Sequence, residues 1–155
     1  MIAIVEFKSS DIDTVFEIQK AAYRPLYEKY HDDATNPYME SKEKVLEKYT
    51  REGTRGYIFV ENGVAVGAVR IALHPESKSG RVSALGVHPR FQGRGIAQRA
   101  LLKIEEMHPE IEVWTLDTIL EEAGNCHLYE KLGYRKTGKL EKLGDNMTLV
   151  FYEKR

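Results

Sequence analysis

The sequence has little of what marks secreted, metal-binding or membrane proteins. Cys126 is the one cysteine among 155 residues, so no internal disulfide is available and nothing indicates secretion. The five histidines are scattered without the spacing of a zinc site, so no metal is expected. No apolar run approaches the length that spans a bilayer, and residues 1–8 are too short and too charged for a signal peptide. We therefore expect a cytoplasmic protein without a membrane partner.

An excess of charge of one sign is also missing. Lysine and arginine number 23, and aspartate and glutamate number 24, which gives a formal net charge of −1. Because nucleic-acid binding depends on neutralising phosphates, nucleic acid is not expected as the main partner. The chain is 42% hydrophobic and 30% charged, which is typical of folded globular domains, and its length suits one domain over residues 1–155.

Hydrophobic periodicity and turn residues predict a mixed order of strands and helices. Ser10, followed by Asp13 three residues later, predicts the start of a first helix. Asn36 before Pro37 predicts the start of a second helix. Residues 62–63, Asn-Gly between two apolar runs, predict a tight hairpin.

The order of the predicted elements indicates the fold class. Two later helices are predicted, one from residue 96 to near residue 109 and one over residues 122–132. The predicted strands cover residues 2–7, 57–61, 64–73, 82–87, 111–116, 134–136 and 147–153. The order β-α-α-β-β-β-α-β-α-β-β predicts an α+β (mixed α/β) domain, with helices on the faces of a mixed sheet.

A glycine-bearing loop between a strand and a helix is the most informative segment. Gly93 and Gly95 precede the predicted helix, and the first N–H groups of a helix lack internal partners. These groups lie at the positive end of the helix dipole, and glycines let an anion approach them closely. Arg90, Arg94 and Arg99 add positive charge nearby. The segment therefore predicts a diphosphate site.

Two nucleotide-binding motifs fit this loop poorly. A Walker loop ends in Gly-Lys-Ser or Gly-Lys-Thr, which the sequence lacks. A dinucleotide fingerprint requires a third glycine where Gln98 stands. A nucleotide-binding protein remains an alternative on the strength of the loop alone.

Two motifs resemble those of the GNAT family of N-acetyltransferases. Residues 92–97, Gln-Gly-Arg-Gly-Ile-Ala, match the pattern Q/R-x-x-G-x-G/A of that family's acyl-CoA signature. Residues 125–134 resemble its L-Y-x-x-x-G-F/Y ending. The resemblance implies a single domain with a mostly antiparallel mixed sheet of about seven strands, helices on both faces and one splayed parallel strand pair.

The resemblance also implies an activity. It is the direct transfer of an acetyl (acyl) group from acetyl-CoA to a primary amine of a small molecule or peptide, in a ternary complex and without a metal. A non-catalytic acyl-CoA-binding or regulatory module on the same fold is the alternative. A homodimer is a further expectation, because dimers are common among proteins of this family.

Site residues follow from the same resemblance. The pyrophosphate is expected at the backbone of Gln92, Gly93, Arg94, Gly95, Ile96, Ala97 and Gln98. Leu85 and Val87 are expected to offer backbone groups to the pantetheine amides, and Asn125 to contact the same arm. Tyr129 is expected to act as the general acid that protonates the thiolate.

The general base and the acceptor are less defined. Some family members carry a glutamate near the start of the strand before the loop, but residues 81–83 hold no carboxylate. The alternatives are Asp117, Glu121, Glu122, His74 and His88. The acceptor wall is expected from aromatic and polar residues early in the chain, namely Tyr23, Tyr27, Tyr30, His31, Asp32, Asp33 and Asn36.

Overall fold

A seven-stranded sheet organises the chain, which the computed structural model describes from residue 2 to residue 155. Its strands are β1 (Ile2–Glu6), β2 (Thr54–Glu61), β3 (Val64–His74), β4 (Ser79–Val87), β5 (Val113–Ile119), β6 (Arg135–Lys142) and β7 (Thr148–Lys154). They lie in the order β1-β2-β3-β4-β5-β7-β6, and only β4 and β5 pair in parallel. The predicted α+β fold with one parallel pair is confirmed.

Four α-helices cover the two faces of the sheet. They are α1 (Ile12–Tyr30), α2 (Lys42–Thr50), α3 (Ile96–Met107) and α4 (Ala123–Lys131). Val15 and Ile18 of α1 pack with Val45 of α2 in one buried cluster. Ile104 of α3 and Leu132 after α4 belong to a second, larger cluster, so each face of the sheet has its own core. Each fully buried aliphatic side chain contributes about 1.5–3 kcal/mol of transfer free energy.

Both predicted helix starts lie one short turn too early. Ser10 belongs to a 3₁₀ turn, Ser9–Asp11, that precedes α1. The Asn36 side chain caps a 3₁₀ turn, Pro37–Met39, rather than a helix. The cap of α2 is Ser41, whose side chain accepts an N–H of the first turn. A capping side chain satisfies the first N–H of any helical turn, so it does not indicate whether the turn continues.

β6 extends six residues beyond its predicted end at residue 136. Every residue of Arg135–Lys142 is exposed, because β6 is the edge strand of the sheet and pairs on one side only, with β7. An exposed edge strand carries no alternation of apolar and polar residues, so the hydrophobic pattern could not predict how far β6 extends. Its lysines are the kind of residue that discourages further pairing along an open edge.

A glycine allows β2 and β4 to approach β3 closely. A Cβ at Gly67 of β3 would lie 2.6 Å from the Phe59 ring and 2.8 Å from the Gly86 carbonyl oxygen. We expect Gly67→Ala to lower the free energy of unfolding by about 1–3 kcal/mol, because a backbone atom cannot yield as a side chain can. Chemical denaturation measures the change. Gly124→Ala in α4 is the control, because its Cβ meets nothing within 4 Å and the change should be neutral or stabilising.

β4 and β5 separate soon after they meet. Their parallel pairing ends at Arg81 and Thr115. Beyond that point Ala84 has a left-handed conformation, with φ of 49°, and the register between β3 and β4 shifts by one residue. A β-bulge of this kind bends its strand, and a left-handed alanine costs about 1–2 kcal/mol. The bend in β4 accompanies the predicted splay and opens a gap between the two strands.

Candidate active site

The end of β4 presents backbone groups to this gap. The His88 N–H donates to the Val66 carbonyl at 2.8 Å, so Gly67 and Val87 form a non-hydrogen-bonded pair. The N–H and C=O groups of Val87 therefore point away from β3, and those of Leu85 point the same way. No strand lies opposite them, because the pairing of β4 with β5 has already ended. The edge is open to an extended ligand that adds like one more strand.

Two side chains donate hydrogen bonds to the carbonyl oxygens of this edge. The Tyr23 hydroxyl of α1 donates to the Leu85 carbonyl at 2.7 Å. The Gln92 side-chain amide donates to the Val87 carbonyl at 2.9 Å, which ties the glycine loop to the end of β4. The N–H groups of Leu85 and Val87 remain available, so this edge offers mainly hydrogen-bond donors to a ligand.

The glycine loop presents a row of free N–H groups. None of the backbone N–H groups of residues 93–98 donates a hydrogen bond to another atom of residues 2–155. Gly93 and Gly95 have φ of 78° and 73°, and a Cβ on either would meet nothing within 4 Å. Unpaired N–H groups at the start of a helix, with an open approach, suit an anion with several oxygens.

Arg99 binds the carbonyl groups of the glycine loop. Its guanidinium donates to the Arg94 carbonyl at 3.1 Å and, through Nε, to the Gly95 carbonyl at 3.3 Å. The loop carbonyls are thus turned toward a cation, and the N–H groups face the other way. The Arg94 guanidinium lies over the Phe91 ring, 5.4 Å from its centroid, and Arg94 is not among the residues that line the cleft described next.

One cleft of about 1100 Å³ joins the loop to the gap between β4 and β5. Its lining includes nearly all of the residues expected at the site, namely Leu85, Val87, Gln92, Gly93, Gly95, Ile96, Ala97, Gln98, Asn125 and Tyr129. It continues past the strands to α1 and to the segment that follows it, at Leu26 and Asn36. The expected site residues, apart from Arg94, therefore share one continuous surface.

Tyr129 brings a free hydroxyl to the cleft. It lies one helical turn after Asn125 on α4, so both side chains share one helix face. The ring packs against Tyr134 and Tyr152, with centroid distances of 6.0 and 6.4 Å. The hydroxyl has no hydrogen-bond partner within residues 2–155, and burial, followed by the charge of Asp117, raises its pKa above the ordinary value. Tyr129 is therefore held protonated, with its proton available to a ligand.

Asp117 supplies a carboxylate where the two strands part. It lies on β5, lines the cleft, and its side chain is 19% exposed. The Arg81 guanidinium of β4 donates to it at 2.6 Å. The carboxylate that residues 81–83 lack thus reaches the same place from the neighbouring strand. With Arg81 about half exposed, this ion pair contributes about 1 kcal/mol or less to stability.

The other two candidate carboxylates serve the fold. Glu121 accepts the Thr148 N–H at 2.8 Å, which joins the end of β5 to β7. Glu122 accepts hydrogen bonds from Lys29 and Tyr30, which ties α4 to α1. Partial burial acts to raise the pKa of Glu122, but these two hydrogen bonds outweigh it and hold the pKa below its usual range. Both acids are committed to internal contacts.

Neither candidate histidine belongs to the lining of the cleft. The Nδ1 atom of His88 accepts the Arg90 N–H at 3.2 Å and caps a short turn. His74 is exposed at the end of β3. Of the five alternatives, Asp117 and Glu122 line the cleft, and Asp117 is the one that lies on a strand of the gap.

The two acids of the expected acceptor wall also have internal partners. Asp33 accepts the Tyr27 hydroxyl at 2.6 Å. Asp32 accepts the N–H groups of Ala34 and Thr35 at 3.2 and 3.1 Å, which closes a turn. Asp32 and Asn36 line the cleft, whereas Asp33 does not. Both acids are therefore engaged within the fold, which weakens the case for a cationic amine held mainly by these two side chains.

Comparison with known proteins identifies the family and the fold. The profile of the Acetyltransferase (GNAT) family matches residues 13–134. The chain belongs to the GNAT family of acetyltransferases. The match includes both strands of the gap, the glycine loop and Tyr129. No curated protein matches the sequence significantly.

Several solved GNAT structures share this fold over nearly the whole chain. The ribosomal-protein-S18-alanine N-acetyltransferase from Escherichia coli has a TM-score of 0.79 at 14% identity, covering 99% of this chain and 93% of its own. The spermidine N-acetyltransferase from Vibrio cholerae, in complex with CoA and spermine, gives 0.78 at 16%, with 98% and 94% covered. The PaiA N-acetyltransferase from Thermoplasma acidophilum, in complex with coenzyme A, gives 0.77 at 17%, with 100% and 99% covered. The structural likeness establishes the fold, but at identities this low it does not indicate the acceptor.

The geometry of the GNAT cleft fits coenzyme A. The free N–H groups of residues 93–98 match a pyrophosphate, and the open edge at Leu85 and Val87 matches the amides of a pantetheine arm. Within residues 2–155 no group of three or more His, Cys, Asp or Glu side chains is arranged to hold a metal. Among the same residues, no helix combines the length and the apolar character needed to cross a membrane.

Three contributors to the cleft were missed or underrated at the sequence level. Arg70 interrupts the apolar run of β3, and a charge in such a run was its only signal. Ala84 gave none, because alanine is ordinary in a strand and its left-handed conformation depends on the neighbouring strands. Tyr23 was assigned to the acceptor wall, whereas its hydroxyl binds the edge of β4.

The left-handed glycine before α3 supports a direct test of the loop. We expect Gly95→Ala to weaken acetyl-CoA binding about 10-fold, because alanine at a φ of 73° costs about 1–2 kcal/mol and shifts the loop from its open form. Calorimetry measures the Kd. The control is Gly138→Ala on β6, where φ is 98°, the Cβ also meets nothing, and the site is outside the cleft. Equal weakening by both variants would attribute the effect to stability alone.

Proposed function

We propose that this GNAT protein is an acetyl-CoA-dependent N-acetyltransferase that acts on a primary amine of a small molecule or peptide. The observation that carries the proposal is the continuous cleft, which runs from the free N–H groups of residues 93–98 past the Tyr129 hydroxyl to Asp117. Such a cleft accommodates both substrates at once, which suits direct transfer in a ternary complex. Solved relatives whose names describe N-acetyltransferases support it.

Binding of the co-substrate is assigned to backbone groups. The N–H groups of residues 93–98 would hold the pyrophosphate, and those of Leu85 and Val87 would donate hydrogen bonds to the pantetheine carbonyls. Asn125 would contact the same arm from α4. Acetyl-CoA supplies the acetyl group as an activated thioester. A backbone N–H at the end of β4 would polarise the thioester carbonyl as oxyanion-hole donors do.

Two side chains are assigned to proton transfer. Asp117 would take a proton from the acceptor ammonium, whose pKa is about 10.4 for a lysine-type amine, so that the neutral nitrogen attacks the carbonyl carbon. The carbon–nitrogen bond forms and the carbon–sulfur bond breaks. Tyr129 would give its proton to the departing thiolate and regain one, through solvent, from the new amide nitrogen, while Asp117 would release to solvent the proton that it took from the ammonium. The products are the N-acetylated amine, free CoA and one proton.

Calorimetry and a transfer assay test the proposal in sequence. CoA and acetyl-CoA should each bind saturably to the folded protein, and an amine panel should release free thiol from acetyl-CoA above the rate without amine. Well-folded protein that shows no heat with either ligand would exclude the proposal. ATP and NAD serve as competitors: displacement of CoA by either at similar concentrations would favour the nucleotide-binding alternative.

The non-catalytic alternative predicts a different pattern. A regulatory module would bind acetyl-CoA but release no thiol with any amine, and Tyr129→Phe would change nothing measurable. The free hydroxyl of Tyr129 and the carboxylate of Asp117 favour the enzyme, because a module that only binds acetyl-CoA requires neither.

A further inference from the structure

Arg70 is the unexplained charge of the cleft. It lies on β3 opposite Ser83 of β4, on the side of the sheet where α1 and α2 pack, and it lines the cleft. Its side chain is half-buried, and its guanidinium lies over the Tyr49 ring, 5.8 Å from the centroid. The guanidinium has neither a carboxylate nor a hydrogen-bond acceptor within residues 2–155. A partly desolvated cation without a countercharge is costly to keep, which points to a ligand.

Each of the other half-buried charges that line the cleft has at least one partner within the described residues. Asp117 pairs with Arg81, Glu122 with Lys29, and Asp32 with the N–H groups of its own turn. The remaining two charged residues of the lining, Lys139 and Glu141, are exposed. Arg70 is therefore the single half-buried charge of the cleft, within the part of the chain that the structure describes, that lacks a partner.

Arg70 lies near the groups assigned to proton transfer. Burial raises the pKa of the Tyr23 hydroxyl, the charge of Arg70 opposes that rise, and the charge of Asp117 adds to it. Along β4, Ser83, which lies opposite Arg70, is two residues from Arg81, and Arg81 donates to Asp117. Arg70 is level with Ser83 along the sheet, whereas the pyrophosphate loop begins beyond Val87.

We propose that Arg70 binds a carboxylate of the acceptor, so that the substrates of this enzyme are small amines that also carry a carboxylate, such as amino acids. This inference rests on the proposed function. A guanidinium fork matches a carboxylate with two parallel hydrogen bonds, while Asp117 matches the ammonium of the same molecule. A polyamine such as spermine, bound by the Vibrio relative, carries no anion and would meet the charges of Arg70 and Arg81.

The test compares acceptors that differ only in the carboxylate. The panel is the α-amino acids, β-alanine and γ-aminobutyrate, each matched with its carboxamide, and spermidine. Transfer from acetyl-CoA gives kcat/KM, and calorimetry on the CoA-saturated protein gives Kd. At least one carboxylate-bearing amine should be preferred about 10- to 100-fold over its carboxamide, as expected for hydrogen bonds to a charged group. If every carboxamide equals its acid, or spermidine is the best acceptor, the inference is wrong.

Substitution of Arg70 assigns the preference to this residue. Arg70→Gln should abolish the 10- to 100-fold preference by weakening the acid and leaving the carboxamide nearly unchanged, and Arg70→Lys should retain part of it. The matched control is Arg55→Gln, an exposed arginine of β2 outside the cleft, which should change neither. Equal losses for acid and carboxamide, or a weaker Kd for CoA, would overturn the inference. Carboxylate-dependent binding without any acetyl transfer would instead reject the proposed function and keep the anion contact.

Discussion

Replacing Tyr129 with phenylalanine is expected to lower kcat for acetyl transfer by about 100-fold, with the Kd for acetyl-CoA nearly unchanged. A positioned general acid contributes about 100- to 10,000-fold. We expect the lower end of that range, because burial raises the pKa of the Tyr129 hydroxyl further above the thiol value of about 8.5. A weaker acid transfers its proton to the thiolate with less driving force. Steady-state kinetics with an identified amine, together with calorimetry, measures both quantities.

Tyr129→Phe tests the hydroxyl alone, because the packing contacts of Tyr129 are made by its ring. Phenylalanine keeps the contacts with Tyr134 and Tyr152, and no hydrogen bond within residues 2–155 is lost with the hydroxyl. Tyr134→Phe is the matched control: it removes a buried hydroxyl that has no partner and lies outside the cleft, and kcat should be unaffected. Wild-type turnover by Tyr129→Phe would remove the general acid from the mechanism.

The order of the elements was predictable because burial leaves a periodic pattern. β2 and β3 form long apolar runs, and the hairpin between them has Asn62 and Gly63 with φ of 52° and 78°, as a two-residue turn requires. β6 shows the opposite case, since an exposed edge strand has no burial to record. Helix boundaries failed where a capping residue served a single turn, because the first N–H of a short turn and of a long helix need the same acceptor.

The candidate site was predictable where it depends on local backbone chemistry. Gly93 and Gly95 indicated an open helix start, which the conformation of the loop now explains, while the binding role of the loop stays a prediction. The pairing of Asp117 with Arg81 was not predictable, because it depends on the register between two strands that are far apart in the sequence. Arg70 lies opposite Ser83 for the same reason, and only the sheet brings it to the cleft.

Replacing Asp117 with asparagine is expected to lower kcat/KM at pH 7 by about 100-fold, because the amide cannot take a proton from the acceptor ammonium. The ion pair with Arg81 is also lost, but it contributes little to folding, so the variant should remain folded. Asp145→Asn, an exposed position in the turn before β7, is the control and should retain full activity.

The pH dependence distinguishes a base from a residue that only positions the amine. Below the pKa of the acceptor, about 8 for an α-amino group and about 10.4 for a lysine-type amine, the neutral fraction rises about 10-fold per pH unit. Without an internal base, the rate of Asp117→Asn should follow that fraction, so the deficit relative to wild type should shrink as pH rises. A deficit that stays constant with pH would mean that Asp117 orients the ammonium without accepting its proton. Full activity of the variant at pH 7 would mean that the proton leaves by another route, and the carboxylate would then be a partner of Arg81 alone.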